Sequence, residues 1–398
     1  EDVFEEEVMS LSRRAFVRRL GINRASSFNG GYITARGREA MVAEMAPGAF
    51  NESLLLPPEG DEIRISSNEN PVGPGPAAFE ALVEALDEGA GRYPTNARPG
   101  IGDLISTIAS KWGAERQHIT IGTGSGEILE NATKAFTGPN RALVTADPSY
   151  LQTVGVALQW GYPVKTVPLD ANLRLDLTAL ASAAKGTGMV FMCNPNNPSS
   201  TVVGASDVEA FVAEVRRVSP ETYILIDEAY ADYVTDPNFQ TAIPLALRTP
   251  NVFVARTFSK AYGMAGLRLG YAVGHADTIG ILSRWTHVFN TNNFSNTAAV
   301  ASLNDPDNLA QEVARNTEAR DYTRKFFTDA GYESADSQTN FLFVNLERPA
   351  SEFRAACREH NVLVGRDFPP MEKTHCRISI GTMDEMRRAT EVFKQVLA

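Results

Sequence analysis

The chain has 398 residues, 43% of them hydrophobic and 21% charged, which is enough for two domains whose cores need no disulfide or metal staple. A formal net charge of -11 disfavours a phosphate backbone, and no run approaches the roughly 18 apolar residues of a membrane span, so neither nucleic acid nor membrane is expected as a partner. Cys193, Cys357 and Cys376 lack C-x-x-C spacing and the five histidines are scattered, so reduced thiols and no metal site are expected.

Residues 1–10 are acidic, and Ser12-Arg-Arg-Ala-Phe-Val-Arg18 then matches the pattern of a twin-arginine export signal. Asn23, Arg24 and Asn29 interrupt the apolar core that such a signal needs, which favours a basic amphipathic arm. A cytoplasmic location is therefore expected, with periplasmic export through the twin-arginine route as the alternative. Residues 39–45 read as a short helix, and Pro57-Pro58-Glu-Gly breaks the chain before the globular part.

From Ile63 a strand runs into the loop Asn68-Glu-Asn-Pro71 and a helix over 77–86. Taken alone, the loop residues are turn-formers. Arg92-Tyr93-Pro94 follows two glycines, and its tyrosine reads as a core or surface aromatic. Next, His118-Ile-Thr-Ile-Gly-Thr-Gly-Ser-Gly predicts a strand, a glycine turn and a helix to Phe136. That turn would aim the N–H groups of Ser125 and Gly126 at an anion, assisted by the positive helix start. A G-x-G-x-G turn also serves geometry alone, and this one lacks the G-K-S/T and G-x-G-x-x-G nucleotide fingerprints.

Strand and helix patterns then alternate through 142–146, 150–160, 164–169 and 189–193, as in a mostly parallel sheet covered by helices on both faces. In such sheets ligands gather at the carboxyl ends of strands, where the polar motifs of this chain fall. They are Asp147-Pro-Ser-Tyr150, Asn194-Pro-Asn-Asn-Pro198 and Asp227-Glu-Ala-Tyr230. Lys260 follows a fourth strand, 251–255. An ionised Asp227 behind four apolar residues wants a cationic partner, and a lysine beyond a buried strand is costly unless its charge is suppressed or used. Individually, a strand-end Asp is commonly a helix cap and an Asn-Pro pair a turn. After Gly274 a helix to Trp285, an irregular polar stretch 290–295 and a long helix over 309–330 are expected. Strands at 339–345, 362–367 and 376–382 and an amphipathic helix over 384–397 would complete a smaller α/β unit.

The segment Ala255 to Tyr271, A-R-T-F-S-K-A-Y-G-M-A-G-L-R-L-G-Y, resembles the Schiff-base segment of pyridoxal-phosphate (PLP) aminotransferases of fold type I, most closely the histidinol-phosphate aminotransferase branch. The resemblance implies an α/β fold in which a large domain holds a mostly parallel seven-stranded sheet between helices, beside a smaller α/β C-terminal domain. It divides the chain into an arm (1–60), a segment serving the small domain and dimer interface (61–95), a PLP-binding domain (96–300) and a small domain (301–398). Lys260 would be the catalytic amine, Asp227 would hold the ring nitrogen protonated, and Asn197 and Tyr230 would bond the phenolic oxygen. Tyr150 would stack on the ring, while Ser125, Gly126, Ser259 and Arg268 would hold the phosphate. Tyr93 would reach the cofactor phosphate of the neighbouring subunit in a homodimer. Asn68 lines the substrate side in this family, Arg377 forks the substrate α-carboxylate, and Arg366 matches a second family arginine. A glycine precedes Arg366 where the family has an apolar residue, and the alternative for Arg366 is pairing with Asp367 or solvent.

The implied reaction moves an amino group between an amino acid or histidinol phosphate and a 2-oxo acid such as 2-oxoglutarate, in histidine or amino-acid biosynthesis. An aromatic aminotransferase and a decarboxylase or lyase of the phosphothreonine decarboxylase type are the enzymatic alternatives. A PLP-sensing regulator would need a DNA-binding domain, and the roughly 60 preceding residues contain no helix-turn-helix pattern. One departure lies in the most diagnostic loop: Pro198-Ser199-Ser200 stands where the family has P-T-G, which is expected to reshape the turn and puts substrate range in question.

Overall fold

A computed structural model describes residues 60–94, 97–98 and 102–398. The arm with its twin-arginine-like segment and the helix expected over 39–45 lie outside the described residues.

Fourteen strands occur among the described residues. β1 is Ile63–Ile65, and the short pair β2 (Ala97–Arg98) and β3 (Gly102–Asp103) is antiparallel. β4 (Ile119–Gly122), β5 (Leu143–Asp147), β6 (Val164–Pro168), β7 (Met189–Cys193), β8 (Tyr223–Asp227), β9 (Val252–Thr257) and β10 (Gly270–Gly274) build one seven-stranded sheet. Their order is β4-β10-β9-β8-β7-β5-β6, and only β10 runs against the others. The mostly parallel sheet expected from alternating elements is present.

The reason lies in the strand sequences. Strands covered on both faces need apolar side chains at every position, and Val252-Phe-Val-Ala255 meets that condition. Val252 and Val254 join one core with Ile224, Ile226, Val190 and Met192, while Phe253 and Ala255 join the opposite core with Leu225, Phe191 and Cys193. Phe253 is fully buried, so truncating it to alanine would cost on the order of 3 to 5 kcal/mol. All three cysteines are buried and unpaired.

The remaining strands are β11 (Glu333–Ser334), β12 (Phe341–Asn345), β13 (Val362–Val364) and β14 (His375–Ser379). β11, β12 and β14 form an antiparallel sheet, and β1 pairs in parallel with β13. Ile63 and Ile65 thus share a core with Leu342, Val364, Ile378 and Phe393, which brings the start of the described chain against its end. The last helix, Met383–Leu397, begins at a capping box in which Thr382 and Glu385 bond each other's backbone.

One expectation fails. The polar stretch 290–295 is irregular only at its start, because the Asn292 side chain accepts from Ser295 N and caps a helix, Asn293–Leu303. Polar composition hid an N-cap.

Candidate active site

β4, β5, β7, β8 and β9 run in one direction, so the turns that follow them open on the same side of the sheet. Those turns carry Ser125, Tyr150, Asn197, Asp227 with Tyr230, and Lys260. The strand-end motifs noted in the sequence therefore open on one side of the sheet.

Lys260 is half-buried three residues beyond β9. Its Nζ donates to the carbonyl oxygens of Asn68 (2.9 Å) and Ser67 (3.4 Å) and lies 5.6 Å from the centre of the Tyr230 ring. Burial, with the nearby Arg377 and Arg268 charges, lowers its pKa to about 8 against the opposing pull of Glu69 and Asp227. Asp227 closes β8 and is 2% exposed. Burial pushes its carboxyl up to about 7; the neighbouring Glu228 adds to the rise, while the Ala229 N–H and Lys260 oppose it. Its Oδ1 has no hydrogen-bond partner among the described residues. A buried carboxylate oxygen left in that state is costly unless a donor arrives from outside the chain.

A continuous chain of hydrogen bonds crosses the site. Arg377 Nη1 donates to Asn197 Oδ1 (3.0 Å), and Asn197 Nδ2 donates to Tyr230 Oη (3.2 Å). Asn68 Nδ2 donates to the same oxygen (3.1 Å). Both lone pairs of Tyr230 are then occupied, so its O–H proton is left to donate to a further acceptor. Asn68 has a φ of 55° and is pinned by Ser379, whose Oγ donates to Asn68 Oδ1 (2.7 Å) and accepts from Asn68 N (2.8 Å). Asn340 Nδ2 donates to the Asn68 carbonyl (3.1 Å).

Arg377 is buried on β14 with no acidic partner among the described residues. Its Nη2 donates to Ser66 O (2.6 Å), its Nε has no partner among the described residues, and it lies over Phe341 and Phe368. Burial lowers its pKa to about 10, and the Arg366 charge contributes against the pull of Tyr230. Arg366 is exposed. It donates to the backbone oxygen of Asp367 (3.1 Å), whose carboxylate is instead gripped by Arg354 at 2.7 and 3.0 Å.

The helix Gly124–Phe136 starts without a side-chain cap from Thr123, so its first N–H groups, those of Ser125 and Gly126 included, point out of the helix end. Gly124 has a φ of 73°, and the Arg268 guanidinium packs where its Cβ would stand. Arg268 Nη1 reaches Ser259 Oγ (3.3 Å) and Ala265 O (2.9 Å), with no carboxylate paired to it among the described residues. Tyr150 donates to Gln152 Oε1 (3.3 Å), and Gln152 in turn donates to Gly126 O (2.8 Å), which ties this tyrosine to the same helix start. Tyr93 stands apart. It is 77% exposed and stacks on Phe289 with ring centres 4.7 Å apart.

Ser200 adopts a φ of 63°, the left-handed conformation a glycine would take, and its Oγ donates to Ser199 O (2.5 Å). The turn is closed by Ser200 N donating to Asn196 O (2.8 Å), so a serine carries the glycine geometry there.

A family model for aminotransferase class I and II matches residues 60–393. The chain belongs to that family. Histidinol-phosphate aminotransferase of Moorella thermoacetica is 34% identical over 340 residues, 85% of this chain and 86% of that protein. An aromatic amino acid aminotransferase of Thermobifida fusca is 33% identical over 334 residues, 83% and 89% of the two chains. Among solved structures, the histidinol-phosphate aminotransferase of Sinorhizobium meliloti in complex with pyridoxal 5'-phosphate superposes with a TM-score of 0.78 at 26% identity, covering 88% of this chain and 94% of that one.

This aminotransferase has the fold-type-I architecture, and its cofactor is pyridoxal 5'-phosphate. The residues fit that group. The unpartnered Asp227 Oδ1 suits a ring N–H, the free Tyr230 proton suits a phenolate, and the Gly124–Gly126 helix start with Ser259 and Arg268 suits a phosphate. Sequence reasoning missed Asn340 and Ser379, which hold Asn68, and the ion pairs of buried Arg256 with Glu228 and Asp232, each at 3.2 Å. Arg256 lies in the motif string and Glu228 beside Asp227, so both were visible as charges in apolar surroundings.

Proposed function

We propose that this aminotransferase moves an amino group between histidinol phosphate or an amino acid and a 2-oxo acid such as 2-oxoglutarate. The observation that carries the reading is a lysine amine held near pKa 8 in the same site as a buried carboxylate whose Oδ1 has no partner among the described residues. When bound, pyridoxal 5'-phosphate supplies an aldehyde that accepts an amino group and a ring that takes up the electron pair left at the α-carbon. Lys260 would then act as a free amine that takes the proton from that carbon and delivers it to the cofactor's aldehyde carbon. Asp227, ionised, keeps the ring nitrogen protonated, and Tyr230 and Asn197 orient the phenolic oxygen. Tyr150 covers the ring, while Ser125, Gly126, Ser259 and Arg268 grip the phosphate. Arg377, with its spare Nε, receives the substrate α-carboxylate; Asn68 positions both Lys260 and Tyr230; and Arg366 meets a second anion.

The reading includes a homodimer in which Tyr93 serves the neighbouring site. It is supported by an exposed apolar stripe, Phe79, Val83 and Leu86 on the helix Pro76–Gly89, and by the exposed Tyr93, Val288 and Phe289. It also includes the division into a large domain over 96–300 and a small one over 301–398 joined by 61–95, in keeping with the β1–β13 pairing. A cytoplasmic location completes it, motivated by Asn23, Arg24 and Asn29 in the segment after Arg13-Arg14. Among the described residues no helix is long and apolar enough to cross a membrane. A periplasmic pool that depends on Arg13 and Arg14 would overturn the location.

Incubating the holoenzyme with histidinol phosphate and 2-oxoglutarate should produce glutamate. With an amino acid as donor in place of histidinol phosphate, carbon dioxide without glutamate would support a decarboxylase instead. The aromatic reading has the Thermobifida relative in its favour. It prevails if kcat/KM for phenylalanine equals that for histidinol phosphate.

A further inference from the structure

The two substrate-side arginines share one aromatic ring. The Arg366 guanidinium carbon lies 4.5 Å from the centre of Phe368, and that of Arg377 lies 4.8 Å from the same centre. Phe368 is 1% exposed and meets Phe343 edge-on at 6.2 Å. Phe343 is the cross-strand partner of Arg377, so the ring is seated against the strand pair that carries that arginine.

The backbone brings the two segments together as well. Gly365 N donates to Arg377 O at 2.9 Å, and a Cβ on Gly365 would run into that oxygen and into the Arg377 Cβ. This close approach accounts for the glycine before Arg366. An apolar side chain there would push Arg366 away from Arg377. The Asp367 carboxylate is held by Arg354, so it does not neutralise Arg366. Both guanidinium groups therefore lie against one ring with no carboxylate paired to either among the described residues, each attracted to the ring and repelled by the other charge.

We propose that Phe368 is a specificity-determining residue, which holds Arg366 on the same ring as Arg377 so that the site favours donors that bring two negative charges, as one phosphate dianion or as two carboxylates. The proposal rests on the assignment of both arginines to substrate anions. A donor with a phosphate or a distal carboxylate satisfies both charges, whereas a donor with a neutral side chain leaves the exposed Arg366 to solvent at little cost. The ratio of kcat/KM between the two donor types thus reports where Phe368 places Arg366.

The test uses cofactor-loaded enzyme with glutamate, histidinol phosphate and phenylalanine as donors. Phe368→Leu should lower kcat/KM for the two dianionic donors about tenfold or more relative to phenylalanine, chiefly through KM. Phe368→Tyr, which keeps the ring face, should restore the wild-type ratio. In an Arg366→Ala background, Phe368→Leu should cause no further selective loss. Equal loss for all donors in Phe368→Leu, with a native melting temperature, would overturn the proposal and leave a packing role. So would a selective loss that persists undiminished on Arg366→Ala. If Arg366→Ala is itself unselective, the anion assignment of Arg366 fails and the proposal falls with it. If Arg366→Ala is selective and Phe368→Leu is not, only the role of Phe368 fails.

Discussion

Replacing Asp227 by asparagine keeps the outline of the side chain and removes its charge. Burial holds the Asp227 carboxyl near pKa 7 before a cation reaches it. The cofactor ring needs the ionised form, so protonation weakens binding by a factor of about 1 + 10^(7-pH). That factor is about 11 at pH 6 and about 1.1 at pH 8, a tenfold difference worth about 1.4 kcal/mol. The wild-type to Asp227→Asn affinity ratio for pyridoxal 5'-phosphate should therefore rise about tenfold from pH 6 to pH 8, measured by titrating apoenzyme at each pH. Taking the ratio cancels the titration of the phosphate and of Lys260, which both proteins share. The variant should keep appreciable affinity through Ser125, Gly126, Ser259 and Arg268, yet lose on the order of 10² to 10³ in turnover, because an amide cannot hold the ring proton. Stability should follow the same group with opposite sign. The folded carboxyl titrates above its unfolded value, so the apoenzyme loses stability as pH rises from about 4 to about 7, and Asp227→Asn should lack that loss. A ratio that stays flat with pH, or near-normal turnover in Asp227→Asn, would refute the assignment.

The rate of cofactor reloading onto apoenzyme should rise with pH and level off above about 8, where the Lys260 amine is neutral; a midpoint near that of an ordinary lysine would show that burial does not depress it. Arg377→Ala should move that midpoint upward, since a like charge beside the amine is removed. Mixing inactive Tyr93→Ala with inactive Lys260→Ala subunits should recover one intact site per hybrid dimer, and the absence of recovery in proven hybrids would count against a shared site.

Much of the site was legible because each functional residue sits where an apolar strand stops. The strands 189–193, 223–227 and 252–257 are almost continuously buried, so Asp227 stands out as the polar residue that ends one of them, and Asn197 and Lys260 as polar residues shortly past the other two. The contacts made by Asn68 were not legible. Its partners Asn340 and Ser379 are 272 and 311 residues away, and neither lies in a local motif. The helix Asn293–Leu303 was missed for a different reason. Ser295, Asn296 and Thr297 are buried polar residues, so the apolar period that marks a helix is absent from its first turn. At Ser200, where the family has glycine, the chain takes a left-handed φ and adds a hydroxyl bond to Ser199 O, neither of which the sequence alone indicated.

With Arg377 assigned to the substrate carboxylate as proposed, the hydrogen-bond chain through the site would couple substrate binding to the cofactor side. Arg377 donates to Asn197, Asn197 donates to Tyr230, and Tyr230 is also held by Asn68, whose carbonyl accepts from Lys260. Arg377 belongs to the C-terminal sheet, Asn197 and Tyr230 to turns of the seven-stranded sheet, and Asn68 to the loop after β1. Four segments distant in sequence therefore meet in one network of donors and acceptors. A carboxylate that takes up the Arg377 guanidinium draws on the donor that now polarises Asn197. That change would pass to the oxygen of Tyr230. A second contact runs through Asn68 to the amine itself. Arrival of the substrate anion and the proton affinity of Lys260 are thus linked by two routes. One is the network, and the other is the direct charge of Arg377, which lowers the amine pKa until an anion neutralises it. Binding the substrate carboxylate should then raise the proton affinity of Lys260 at the stage where it must act as a base.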